Sequence, residues 1–530
     1  MNAEASSAAV PHRLMITVSV MLATIMQTLD STIANVALPH MAGGLSASQD
    51  QITWVLTSYI VAAAIATPVT GWLNGRYGRK KVFLVSIAGF TVMSLACGAA
   101  GNMLEIVVAR LLQGAFGAAL VPLSQAVMLD INEPKDHGRA MAVWGMGVML
   151  GPILGPTLGG WLTDNMNWRW VFLINLPVGL LSFYGVYRFI HEEAPADGPR
   201  RFDMFGFTTL ALSIGLLQLL LDRGEQVDWF DAIEIRTYAI AAFVAFTFFI
   251  LHTATAGRDS FFKVDLLRDR NFAMGLAFYF LVGLLLYATR ALLPPMLQTV
   301  LGYPVVTTGL VTAPSGAGTM VSMLFAGRMV GRVDGRLIIA LGFGLTALSL
   351  WQMAGYTPQV TEWEIAIPGF IQGLGLGFIS VPLTTMTFST LSRGLRSDGT
   401  AIYSLSRNIG SSIGISVMQS LFVRNSSTMH ASLATLISAE TLMQHPDALS
   451  QTFDLHGQAG LAGLNALVDN QAAFIAYLND FRLMLWMTLA AIPCLIFMRV
   501  NKALPLPRYA RPPQGGGTAG PAEPAPGRPR

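Results

Sequence analysis

Charge is what this 530-residue chain most lacks: Asp, Glu, Lys and Arg make up 12% of it, about half the share usual in soluble domains. With 53% apolar residues, this balance excludes an ordinary soluble domain and places the chain in the membrane class. Cysteine is nearly absent. Cys97 and Cys494 both fall inside apolar runs, which excludes a disulfide framework and a thiolate metal site. The 8 His are scattered without ligand spacing, and neither an HExxH nor a P-loop is present, so neither a metal site nor direct use of ATP is expected. The net charge of +3 is spread over short loops, and no nucleic-acid partner is expected. The first apolar run follows His12 and Arg13, is too long for a signal-peptide core and is succeeded by many more, so it reads as a retained span.

What the chain has is length of apolar run. Segments of about twenty residues recur near 14–37, 52–73, 82–101, 104–129, 139–162, 169–190, 204–221, 237–256, 271–293, 304–326, 336–356, 363–389, 398–423 and 480–500. That makes about fourteen spans of an all-α membrane protein, multi-pass in the lipid bilayer. Roughly 25 of the 33 Lys and Arg fall on one side of the alternation, which the positive-inside rule makes cytoplasmic, with both termini on that side.

The two halves are similar. GWLNGRYGRK from Gly71 has a counterpart in GRMVGRVDGR from Gly327, and the offset exceeds a six-span half, about 190 residues, by enough for two more spans. The expected organisation is a cytoplasmic segment 1–13, a six-helix bundle 14–201, two additional helices 202–258, and a second six-helix bundle 259–502. A tail, 503–530, rich in Pro, Gly and Arg, reads as disordered. The connection 424–480 is too long for a turn and spaces Leu433, Leu436 and Ile437 as one helix face, either to pack on its own bundle or to dock a partner.

One carboxylate, Asp30, interrupts the first span. A charge at that depth costs on the order of 3 kcal/mol, so it serves either as a tether between helices or as a proton or substrate site. Arg110, in RLLQG of the fourth span, lies at about the same depth by the helical rise, roughly 10 Å below the outer edge, and within reach it would keep Asp30 ionised. Asn35 and Gln113 could add uncharged hydrogen bonds there, or simply join helices. In the second half Arg407, followed by Asn408, lies near mid-depth, as a structural cation or as part of a pathway. The GSSIG that follows from Gly410 has the spacing of a hydrolase elbow, but no strand precedes it and no His partner stands out, which excludes an intramembrane hydrolase.

The fifth span carries Gly147, Gly151, Gly155 and Gly159 on one helix face, where a neighbouring backbone could come close, with Pro152 and Pro156 between them favouring a kink. The ladder is either a packing ridge or a surface on which helices rock. Gly369, Gly373 and Gly377 repeat it in the twelfth span.

Taken in order, LDSTIANVALP (29–39), the GWLNGRYGRK loop with Gly71, Arg76, Gly78 and Arg79, RLLQG (110–114), GPILGPTLGG from Gly151 and NWRWVFLINLPVG (167–179) resemble the fourteen-span drug:proton antiporters of the major facilitator superfamily, the EmrB/QacA family. LDRGEQVDWF (221–230) is most similar to the EmrB-type members. The resemblance implies the major facilitator fold, two six-helix bundles plus two extra transmembrane helices. It further implies export of hydrophobic toxic compounds in exchange for protons, not enzymatic turnover, with no cofactor beyond the proton gradient. Asp30 with Arg110 would couple protons, and Asn35, Gln113, Arg407 and Asn408 would line the pathway. The loop residues and the glycine ladder would move. The bacterial inner membrane, a periplasmic adaptor protein and an outer-membrane channel complete the expectation. The chain departs from the superfamily loop pattern at Gly75, where an acidic residue is usual, so a carboxylate latch at that position is not expected. A solute importer of the same fold and a membrane sensor or scaffold remain as alternatives.

Overall fold

A bilayer offers no partner for backbone N–H and C=O groups, so each apolar run must satisfy its own, and helices result. The computed structural model describes residues 12–191, 202–224, 227–256, 263–391, 393–436 and 458–498. Fourteen long helical segments follow one another. They are α1 (Arg13–Gly44), α2 (Trp54–Ala66 with Val69–Tyr77), α3 (Arg79–Ala99), α4 (Met103–Asp130), α5 (His137–Asn165), α6 (Trp170–Phe189), α7 (Met204–Arg223) and α8 (Ile233–Ala256). The second half continues with α9 (Arg270–Val300), α10 (Val305–Met329), α11 (Gly335–Met353), α12 (Glu362–Phe388), α13 (Arg396–Leu436) and α14 (Gln458–Cys494).

Twelve of these are long and apolar enough to cross a membrane, and α2 adds a thirteenth if its two pieces, bent by 55°, count as one span. The bend follows from Pro68, which has no N–H to give the turn before it. The remaining helix, α13, has the length, 41 residues, but carries Arg407, Asn408 and many Ser, and its apolarity is correspondingly low. It runs unbroken to Leu436, and α14 begins at Gln458, so both arms of the long connection are helical. Ile437, the rest of that connection to residue 457, and the tail lie outside the described residues.

Helices α1–α6 pack on one another, as do α9–α14, and the two sets meet mainly through α5 against α10, with α13 against α2 and α4. The added helix α7 packs on α2 and α13, and α8 packs on α7. Most of α8 faces outward, including Ile240, Phe243, Phe248 and Leu251, as a peripheral lipid-facing helix should.

Two local breaks matter for the site. The turn between α2 and α3 is made by Gly78 at φ +84°, a conformation that a side chain would strain. In α9, two π-turns, Gly283–Tyr287 and Met296–Val300, interrupt the α-helix, the second directly after Pro294 and Pro295.

Candidate functional site

Asp30 and Arg110, on different helices, meet directly. Arg110 Nη1 donates to Asp30 Oδ2 across 2.7 Å, and both side chains are 0% exposed. Gln113, one turn on from Arg110, accepts from Arg110 Nη1 at 2.9 Å and donates to Asp30 Oδ1 at 3.0 Å. Asn175 of α6 gives Asp30 Oδ1 a third donor at 2.8 Å and also donates to Ser94 Oγ at 2.9 Å. Arg110 is fixed from behind by Nε donating to the Val55 carbonyl at 3.0 Å and by the Tyr59 ring, 4.3 Å from its guanidinium carbon. Three N–H donors thus converge on one buried carboxylate, one of them a charged guanidinium, and such charge-assisted hydrogen bonds are the strong ones.

Asn35 does not belong to this group. It lies five residues beyond Asp30, turned away by the helical period, and is exposed. Its place is taken by Asn175, which stands in the NWRWVFLINLPVG stretch and is singled out only by its packing.

The glycine ladder of α5 lies along α1, the helix that carries Asp30. A Cβ on Gly151 would come within 2.5 Å of the Thr28 backbone carbonyl carbon, and Thr32 Oγ1 donates to the Gly151 carbonyl at 3.0 Å. Gly147, Gly155 and Gly159 face Met21, Thr32 and Ile33 on the same helix. The helix continues without interruption past Pro152; the side chain of Pro156 lies outside the described residues.

Between the halves lies a cavity of about 40 Å³, walled by Trp144 and Met141 of α5, Tyr279 and Tyr287 of α9, Thr384 of α12 and Arg407 of α13. Arg407 donates to Asn408 Oδ1 at 3.1 Å and to Tyr279 Oη at 3.4 Å, and it lies over the Tyr279 and Tyr287 rings. Tyr279 in turn stacks on Tyr403 at 3.8 Å. Among the described residues no carboxylate pairs with Arg407. Arg290, one helical turn past Tyr287 on α9, is a second half-buried cation, with no carboxylate partner among the described residues.

At the end of the bundle that carries the basic loops, the halves are joined. Asp130, at the end of α4, accepts from Arg79 at 2.7 Å within its own half and from Arg396 of α13 at 2.7 Å. Asn74 donates to Ser397 at 2.7 Å, and Lys263 pairs with Asp398, which lies against Gly71. No carboxylate stands at Gly75, and the carboxylates at this junction are Asp130 and Asp398. Arg76 faces outward. His137, at the start of α5, is buried beside this junction, its Nε2 donating to the Asn132 carbonyl at 3.2 Å. Burial, and then the Arg396 charge, push its pKa below the ordinary 6.5.

The family model described as Major Facilitator Superfamily matches residues 20–415. Multidrug export protein EmrB of Escherichia coli strain K12 is 34% identical over 510 residues, which span 95% of this chain and 96% of the relative. Fatty acid resistance protein FarB of Neisseria gonorrhoeae is 35% identical over 463 residues, 87% of this chain and 91% of its own. Among solved structures, the human organic anion transporter MFSD10 matches with a TM-score of 0.56 at 15% identity, covering 90% of this chain and 98% of that one, and supports the fold alone. The chain therefore belongs to the major facilitator superfamily, in the branch that contains the EmrB-type multidrug export proteins.

Proposed function

We propose that this protein is a proton-coupled exporter of hydrophobic compounds, resident in a bacterial inner membrane and working by alternating access between its two bundles. The observation that carries the reading is the buried Asp30, hydrogen-bonded by Arg110, Gln113 and Asn175, on the helix that packs against the glycine ladder of α5. A proton on Asp30 removes the negative charge from this group and releases Arg110, which changes how α1 sits on α4 and α6. The basic end is the cytoplasmic one, so the Asp130–Arg396 junction keeps the cytoplasmic side shut in this conformation. Export then requires that junction to part for loading, and protonation of Asp30 from outside to accompany release.

The cavity wall supports a choice of cargo. Tyrosines and Trp144 offer flat apolar faces, and Arg407 supplies positive charge with no carboxylate partner among the described residues. Neutral and acidic hydrophobic compounds fit this wall better than cations do. The named activities of the relatives, multidrug export and fatty acid resistance, favour the same class.

A periplasmic adaptor leading to an outer-membrane channel is the partner we assign to the long helical arms. At 1.5 Å per residue, α13 is about 60 Å long, twice the hydrocarbon thickness, so its far end stands clear of the membrane together with the start of α14. The two arms are tied by His430 to Asn465 and Asp469. Everted membrane vesicles test the function: on energisation, a hydrophobic acid should accumulate in their lumen and the accumulation should collapse with the pH gradient. Equal uptake in vesicles lacking the protein would refute the reading.

A further inference from the structure

Asp30 and Asp480 are the only buried carboxylates among the described residues, and their surroundings are opposite in kind. Asp30 has three donors. Asp480, on α14 and 1% exposed, has one: the amide of Asn425 on α13, at the outer limit of a hydrogen bond, 3.5 Å from Oδ1. Its Oδ2 is buried without any partner.

The rest of its neighbourhood is apolar. Phe474, Tyr477, Phe481 and Met484 on its own helix, with Met418 of α13 and Met353 of α11, belong to one buried cluster. Among the described residues no cation pairs with it. Arg424 and Arg482, the nearest in sequence, are both exposed. On α13, Arg407 lies 18 residues before Asn425, about 27 Å along the helix, and Arg396 lies farther still. Arg290 of α9 is lodged against Tyr287, Arg336 sits at the far end of α11, and among the described residues Tyr477 is the one titratable group beside Asp480.

Burial strips the carboxylate of its hydration, and one long amide hydrogen bond makes up for it only in part, an arrangement that suits the neutral acid better than the anion. Asn425 suits that form. An amide can donate to the carbonyl oxygen of a carboxylic acid and accept from its hydroxyl, whereas a guanidinium can only serve the anion. We propose that Asp480 is a second proton-binding site of this protein, occupied in the present conformation and joined through Asn425 to α13. The step is a simple proton uptake: the carboxylate takes H⁺ from the outer aqueous phase, and the new O–H donates to the Asn425 carbonyl oxygen.

The link to α13 gives the proton somewhere to act. That single helix carries Asn425 near one end, Arg407 at the cavity and Arg396 in the junction with Asp130. Loss of the proton from Asp480 would place an uncompensated charge against α13 and force the two helices to part.

Infrared difference spectroscopy on the purified full-length protein tests this without substrate or gradient, so its outcome is independent of the transport reading. The wild type at neutral pH should show the C=O stretching band of a protonated carboxyl. That band should be lost in Asp480→Asn and kept in Asp30→Asn. In Asn425→Leu, which keeps the carboxyl and covers failure of the first variant to fold, the band should persist at a shifted frequency. A band unchanged in Asp480→Asn overturns the proposal, as does its absence from the wild type; an unshifted band in Asn425→Leu overturns the link to α13.

Discussion

Arg110 and Asp30 meet across 2.7 Å with neither side chain exposed to any degree, and the partners around them are arranged so that each has a second support. Removing one member therefore has two separable effects, on stability and on coupling. Asp30→Asn leaves a buried guanidinium without its counter-charge, which costs about 3–5 kcal/mol. Asp30→Asn combined with Arg110→Gln should recover much of that loss in thermal unfolding while leaving transport uncoupled from protons. Recovery of coupling in the double variant would contradict the assignment.

Gly151 provides a steric test with an internal control. Even Gly151→Ala places a Cβ 2.5 Å from the Thr28 backbone carbonyl carbon, where only movement of α1 can make room, whereas Gly160 has nothing within 4 Å. Gly151→Leu should reduce export at least tenfold with normal membrane abundance, and Gly160→Ala should leave export unchanged. The tenfold loss corresponds to about 1.4 kcal/mol of strain, a modest value for overpacking.

The junction at Asp130 can be read by cross-linking. Asn74 and Ser397 touch across the two halves, so cysteines at both positions should form a disulfide in the closed form. Asp130→Asn removes the charge that holds Arg79 and Arg396, and the cross-linking yield should fall severalfold. An unchanged yield would show that the ion pairs do not hold the gate.

Acid should weaken the same junction. His137 has its pKa lowered in the closed form, first by burial and then by Arg396, from an ordinary 6.5. When the junction opens and the ring regains water, protons bind it more readily. The closed form is therefore fully favoured above pH 6.5 and loses ground as pH falls through the lowered pKa. Cross-linking between residues 74 and 397 should decline over that range, and His137→Gln should flatten the decline.

Arg407, in the cavity wall, is expected to set cargo preference. Arg407→Gln should weaken binding of an acidic hydrophobic compound about tenfold to a hundredfold, the worth of one charge-assisted hydrogen bond. A neutral compound of similar size should be affected much less. Binding to the purified protein measures both.

Much of this was legible before the fold was known, and the reasons are physical. Apolar run length dictates spans, so the helices around Asp30 and the level it shares with Arg110 follow from counting residues. What counting cannot give is azimuth across helices. Asn35, exposed, and Asn175, bonded to Asp30, look equally suitable in sequence, and only packing tells them apart. The latch was hidden for the same reason: Gly75 breaks the expected pattern in the loop, while Asp130 and Asp398 come from helix ends far along the chain. Asp480 was masked by its position at the edge of the last apolar run, where it reads as the end of a loop although it lies inside a continuous helix.

The central claim is that Asp30 carries the proton that drives export. Reconstitution in liposomes with an imposed pH gradient tests it, following the cargo and the internal pH together. The wild type should move a hydrophobic acid against its gradient with matching proton flow, and Asp30→Asn, still folded and still binding the compound, should do neither. Uphill movement of the compound with proton flow in Asp30→Asn would contradict the account.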